Sequence, residues 1–356
     1  MTQGIAPGAA AGPEPVAVDP DRPDPSVLER ASAALRAGGL VAFPTETVYG
    51  LGAALDAPDA IDRVFVTKGR PATDPLIVHG AGVESFDGVV AAWPAAARTL
   101  ADALWPGPLT MVLPRGRLVG DHVTAGGPAV GVRVPAHPVA LGLLRAAAVP
   151  VVAPSANRFG RISPTSAADV VAELAERLDG ERDLILDGGP TPLGIESTVI
   201  DLTAATPRIL RHGGVPWEDL VDLIGDVDGS ERMVGSDASP ATAPGAFLRH
   251  YAPTTPLVLV EGDQALVDEL MALVRAEGVT VQALGLPPDP DHAARDLYRL
   301  LRAADRSDAE VLLATTLRPD GLGRAVNDRL FRAAHGRVVA DADRRSVDRV
   351  TTLARS

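Results

Sequence analysis

Residues 40–53 read LVAFPTETVYGLGA. The first four residues form a short apolar run of buried-strand character, and Pro44, Thr45, Glu46 and Thr47 follow at its C-terminal end, where open α/β sheets gather ligands. Taken alone, Pro-Thr-Glu-Thr serves equally well as a strand-to-turn transition. Upstream, Val27, Ala31, Ala34 and Leu35 fall on one side of a helix that Ser26 would cap and Gly38-Gly39 would stop. Downstream, apolar runs at 76–78 (LIV), 109–113 (LTMVL), 129–134 (AVGVRV), 150–153 (PVVA), 184–186 (LIL) and 197–202 (STVIDL) alternate with helical stretches. That alternation is the signature of a mixed α/β fold.

The chain of 356 residues is long enough for two domains. Residues 1–24 are Ala, Pro and Gly punctuated by acids, without a hydrophobic period, and are expected to be a disordered tail. Residues 25–225 are expected to form the main α/β domain. Residues 226–254 contain an acidic, turn-rich segment that cannot build a core, so they read as a linker. Beyond them PLVLVEG, VTVQALGL, EVLLATTL and a final VVA read as strands, with helices near 264–277, 292–304 and 325–336 between them. Residues 255–356 are thus expected to be a smaller, Rossmann-like α/β domain.

Composition removes several chemistries. There is no Cys, which excludes thiolate metal sites and cysteine nucleophiles. The seven His are scattered singly, with no HExxH, so no metal ligands are assigned to the protein itself. No GxxxxGK[ST] loop and no G-x-S-x-G elbow occurs, which leaves P-loop NTPases and serine hydrolases without support. No apolar run spans a bilayer and no signal segment opens the chain, so a cytoplasmic protein without a membrane partner is expected. With a net charge of −13, a general electrostatic grip on RNA is not expected.

Among 33 bases there is one lysine, Lys68. Where Arg has replaced Lys elsewhere, a compact ammonium that cannot be exchanged for a planar fork is one reason for a lysine to persist; chance is another. Lys68 and Arg70 stand two apart in TKGRPATDPLIVH, and in an extended loop both would point to one side and clamp successive phosphates. In PVVAPSANRFGRISPTSA a strand ends at Pro154, and Ser155 and Asn157 lead through Arg158 and Arg161 to Ser163-Pro164, read as a helix start able to receive an anion. Arg133, a charge in an otherwise apolar strand, needs a partner that an anionic substrate could supply. IESTVIDL and RILRHGG add Ser197 and Arg211.

FPTETVYGLGA, KGRPATDPLIVH, WPGPLTMVL, VGVRVPAHP, VVAPSANRFGRISPTSA, DGGPTPLGIESTVIDL and ILRHGG, in that order, resemble the motifs of the YrdC/Sua5 family, the threonylcarbamoyl-AMP synthases. APGAFLRHYAP and GLGRAVNDRLFRAA are similar to the longer Sua5 subtype, which adds a C-terminal domain. The resemblance covers roughly residues 26–340. It implies a twisted mixed sheet with a large cleft, and a nucleotidyltransferase reaction. L-threonine, bicarbonate and ATP, with Mg²⁺, would give threonylcarbamoyl-AMP and pyrophosphate, the activated intermediate for tRNA threonylcarbamoyladenosine. Carried over, Thr45, His79, Arg133 and Ser197, with the backbone at Ala153, fall where the family holds threonine. Lys68, Arg70, Ser155, Asn157, Ser163 and Arg211, with the backbone at Ala72 and Ala129, fall where it holds ATP; Ala129 stands where some members have a hydroxyl residue. Lys68 and Arg70 are the implied catalytic pair, and Tyr251 would reach back from the linker as a lid. The product would pass to the tRNA threonylcarbamoyl transferase machinery. The alternative is an RNA-binding module without nucleotidyl transfer, against which stand the net charge and the lack of Lys-rich or aromatic-interleaved stretches.

Overall fold

The computed structural model describes residues 12–230 and 251–355. Its strands are β1 (Pro15–Ala17), β2 (Val41–Phe43), β3 (Gly50–Ala54), β4 (Ile77–His79), β5 (Leu109–Pro114), β6 (Ala129–Arg133), β7 (Val151–Val152), β8 (Leu184–Asp187), β9 (Thr198–Asp201), β10 (Arg208–Arg211), β11 (Leu257–Val260), β12 (Val281–Ala283), β13 (Val311–Thr315) and β14 (Val338–Val339). The first ten form one sheet in the order β1-β8-β2-β3-β7-β4-β6-β5-β9-β10. Parallel and antiparallel neighbours mix in it: β4 pairs parallel with β6, whereas β7 pairs antiparallel with β4.

Side-chain alternation explains why this sheet is covered on both faces. Val41, Phe43, Val151, Leu184 and Leu186 pack with Leu28, Leu35, Leu143 and Leu144 of helices Pro25–Arg36 and Pro138–Ala147. The intervening Ala42, Val152 and Ile185 join a larger core on the opposite face with Ile61, Leu100, Val170 and Leu220, each from a different helix. The last four strands form a separate all-parallel sheet, β12-β13-β11-β14. Leu257 and Leu259 face helices Pro290–Asp305 and Gly323–Ala333, while Val258 and Val260 face helices Gln264–Ala276 and Arg344–Ala354. Val48, Ile162 and Ile195 from the first sheet's loops belong to the same core as Leu297 and Leu330, so the two layered units share apolar packing.

Several expectations need correction. The segment expected to be a disordered tail contains β1, which adds a parallel edge strand to β8 at register Val16↔Leu186; the sheet edge supplies the order that composition does not. Residues 1–11 of that segment lie outside the described residues. Asp24, not Ser26, caps the first helix: its carboxylate accepts from Ser26 N, and Pro25 takes the first helical position. The helix after Ile162 starts at Ala167, because Ser166 and Asp169 form a reciprocal capping box that Ser163-Pro164 cannot. Helix Arg344–Ala354, capped by Asp343, follows the last strand and was not expected. The linker expected over 226–254 lies in large part, at residues 231–250, outside the described residues.

Candidate active site

Five strands of the large sheet end on an ionisable residue, β8 on Asp187 and β9 on Asp201 among them; the other three are β4 on His79, β6 on Arg133 and β10 on Arg211. Parallel pairing of β4 with β6 sets His79 opposite Arg133. His79, Arg133 and Arg211, together with Thr45, Arg70, Ala153, Ser155, Ser197 and Tyr251, line one open cavity of about 560 Å³. Nine residues singled out in the sequence are thus brought together, from seven separate stretches of chain.

Each guanidinium is held by its own surroundings. Arg70 donates Nε to Asp74 O at 3.1 Å and Nη2 to Pro75 O at 2.6 Å, and pairs with the Asp74 carboxylate at 3.0 Å. Arg211 donates to the Ser197 carbonyl from Nε at 3.2 Å and Nη2 at 2.9 Å, and Nη2 also reaches Ser197 Oγ at 3.2 Å. Ser197 Oγ in turn lies 2.8 Å from Thr110 Oγ1. Arg133 donates Nε to Gly107 O at 3.2 Å, and its Nη2 lies 2.7 Å from Glu46 Oε1. The partner that Arg133 needs is therefore within the chain, although the sequence suggested a substrate anion. Burial, and secondarily the Arg133 charge, push the His79 pKa down to about 3, so the ring is neutral at physiological pH.

Lys68 does not line the cavity. It is the last residue of helix Pro58–Lys68, and Gly69 closes that helix at φ +62, a left-handed conformation that suits glycine. The turn separates the two cations that an extended loop would have aligned. Lys68 Nζ is buried and donates to the carbonyls of Ser155 and Asn157, both at 2.5 Å. Burial, and then the neighbouring Arg70, depress its pKa well below the ordinary lysine value. Lys68 thus fastens the loop that delivers Ser155. Asn157 uses its amide to bind Arg158 O and Arg161 O, and Ser163 is fully buried; Ala72 and Ala129, like both of these, stand outside the cavity wall. Arg158 and Arg161 pair with Glu173, with Arg161 also near Asp305, and form no anion site at the cavity.

Glu196 was missed. It lines the cavity and is bound from the other domain, with Arg329 Nε at 2.8 Å and Tyr298 OH donating to both carboxylate oxygens at 3.0 and 2.8 Å. Burial opposes its ionisation, but Arg329 and Arg211 outweigh that and hold the pKa at about 2. Tyr251 is also part of this junction: its ring stacks on Tyr298 at 5.7 Å and lies 5.0 Å from the Arg329 guanidinium. Expected as a lid, Tyr251 is a wall residue, fully buried, with φ +63. The only sequence signal for Glu196 is an acid inside an apolar and hydroxyl-rich run; its partners lie more than a hundred residues away. Among the described residues no three His, Cys, Asp or Glu side chains converge as for a metal ion, and no helix is long and apolar enough to cross a membrane.

Comparison with known proteins matches this architecture in both halves. The Sua5/YciO/YrdC family model, described as telomere recombination, matches residues 33–213, and the model of the threonylcarbamoyl-AMP synthase C-terminal domain matches residues 215–335. The chain is 42% identical over 320 residues to a threonylcarbamoyl-AMP synthase of Pyrococcus abyssi, covering 86% of this chain and 93% of that protein. It is 38% identical over 334 residues to a Bacillus subtilis protein of the same name, covering 89% and 95%. The crystal structure of P. abyssi Sua5 complexed with L-threonine superposes with a TM-score of 0.86 at 39% identity, over 91% of this chain and 99% of that one. Similarity of this extent spans both sheets and the cavity, and the chain belongs to the Sua5/YciO/YrdC family, in its two-domain form.

Proposed function

We propose that this protein joins L-threonine, bicarbonate and ATP into threonylcarbamoyl-AMP with release of pyrophosphate, as a cytoplasmic nucleotidyltransferase. The observation that carries this reading is the convergence of Arg70, Arg133 and Arg211 on one cavity beside an uncharged imidazole. A site so built suits two anionic ligands, a carboxylate and a polyphosphate, and requires no protein nucleophile. The relatives named threonylcarbamoyl-AMP synthase and the Sua5 structure complexed with L-threonine support the same assignment.

In this reading threonine lies against Thr45, His79, Arg133, Ala153 and Ser197, with its carboxylate on Arg133. ATP extends along Arg70, Ser155, Arg211 and Tyr251, with Lys68, Ala72, Ala129, Asn157 and Ser163 forming or supporting that end. The amine nitrogen attacks the carbon dioxide equivalent, the resulting carbamate oxygen attacks the α-phosphorus, and pyrophosphate departs. The chain's part is to align the reactants and to stabilise charge on the phosphates. The neutral His79 ring adds no charge to the threonine end. The cavity carboxylate Glu196 and nearby Glu46 are already paired with arginines, so a magnesium ion entering with ATP would take its ligands from phosphates and water and add positive charge there. Delivery of the product to a tRNA threonylcarbamoyl transferase completes the proposed role.

Mass spectrometry of the purified protein incubated with the three substrates and Mg²⁺ tests this. Threonylcarbamoyl-AMP, with pyrophosphate release that depends on threonine, is the expected result. Absence of the adenylate, with salt-sensitive RNA retention in its place, would favour the RNA-binding alternative.

A further inference from the structure

Three carboxylates stand at or directly behind the cavity, and they differ in what they can still accept. Asp74 is fully buried behind Arg70, which also grips the neighbouring backbone. Glu196 has both oxygens engaged by Tyr298 and one also by Arg329. Glu46 is different: among the described residues its one ionic contact is with Arg133 Nη2 at 2.7 Å, and neither of its oxygens receives an aligned hydrogen bond. Both of its oxygens are buried, while the side chain as a whole keeps 12% exposure, against none for Asp74. Thr45, Thr47 and its ion-pair partner Arg133 line the cavity, and Glu46 stands directly behind that wall.

An α-amino acid carries its carboxylate and its ammonium on one carbon, so a zwitterion is read by a guanidinium and a carboxylate set side by side. We infer that Glu46 is the acceptor for the α-ammonium of the amino-acid substrate, paired with Arg133 as the receiver of its carboxylate. The inference rests on the proposed threonine site. Before substrate arrives, Glu46 and Arg133 neutralise each other, and the zwitterion replaces that single contact with two aligned ones. Glu46 is then a specificity residue: it selects an amine-bearing acid over the same acid without the amine.

The test is titration calorimetry on the full chain with L-threonine and with 3-hydroxybutanoate, which keeps the carboxylate and hydroxyl but lacks the amine. In Glu46→Gln, threonine is expected to bind roughly ten- to a hundredfold more weakly. Binding of 3-hydroxybutanoate should stay the same or tighten, because a competitor for Arg133 has lost its charge. Equal weakening of both ligands would show that Glu46 only holds Arg133 in place, and unchanged threonine binding would remove it from the site; either result overturns the inference. If Glu46→Gln melts below the assay temperature, Glu46→Asp carries the same test, since it keeps the charge and withdraws it by one methylene. Wild-type protein that neither binds threonine nor forms the adenylate would refute the parent reading, whereas an active wild type with an indifferent Glu46→Gln refutes this inference alone.

Discussion

The two sheets use charge in opposite ways. Three strands of the ten-stranded sheet end on His79, Arg133 and Arg211, all facing the cavity, whereas the strands LVLV, VQA, VLLAT and VV of the parallel sheet contain no ionisable residue. The C-terminal unit acts instead through helices: Tyr298 and Arg302 from Pro290–Asp305 and Arg329 from Gly323–Ala333 reach into the first unit. Both units are layered α/β structures, so architecture alone does not locate the chemistry. In the proposed reading it lies where strand ends bring His79, Arg133 and Arg211 to one cavity, and the neighbouring unit braces that wall.

The largest expected effect breaks the brace. Arg329 is fully buried, and Arg329→Met leaves Glu196 as an unpaired buried charge, which should cost about 3–5 kcal/mol in a denaturant titration. Adding Glu196→Gln should restore most of that stability, because the charge itself is removed. Loss without recovery in the double variant would mean that Arg329 matters through its pairing with Asp328 or its packing on Tyr251 rather than through Glu196. Next comes the cavity side of the comparison. Arg70→Ala combined with Asp74→Asn, so that no buried carboxylate is stranded, should lower threonylcarbamoyl-AMP formation by about 10²–10³-fold with a smaller effect on folding, by analogy with deletion of one charge-stabilising donor. Wild-type turnover in that variant would take Arg70 out of the phosphate end.

How much of this was legible depended on sequence distance. The strands that bear the site, the motif order and nine of the wall residues could be read because each motif carries its own strand, turn and polar end. The Glu196–Arg329 pair could not, since its members are 133 positions apart and each looks like a solvated charge locally. Arg133 was read correctly as a buried charge in need of a partner, but nothing local identifies Glu46 as that partner. Lys68 was singled out by its rarity, yet only the left-handed Gly69 shows that it turns toward backbone carbonyls while Arg70 turns to the cavity. β1 escaped because an edge strand borrows its order from β8.

Acid should separate the two regions more gently. His79 titrates near 3 in the folded chain and near 6.5 unfolded, so the unfolded state binds more protons between those values; the resulting stability is present above pH 6.5 and is lost on acidification, by up to about 1.4 kcal/mol per pH unit. Glu196, about 2 when folded and 4.5 otherwise, contributes stability that is lost only below about pH 4.5. The cavity side is thus expected to weaken first as pH falls. His79→Gln should flatten the stability profile between pH 6.5 and 4.5 and leave the steeper fall below it; an unchanged profile would show that His79 is not held neutral. The smallest effect tests whether bracing depends on burial. Arg324 pairs with Glu218 at 3.0 Å and lies over Trp217 at 5.3 Å, but Glu218 is 42% exposed. Water already screens that contact, so Arg324→Ala should cost about 0–1 kcal/mol in the same titration. A loss as large as that of Arg329→Met would mean that the domains are held by the whole rim of ion pairs, and the contrast between a buried junction and an exposed one would no longer explain how the second unit supports the first.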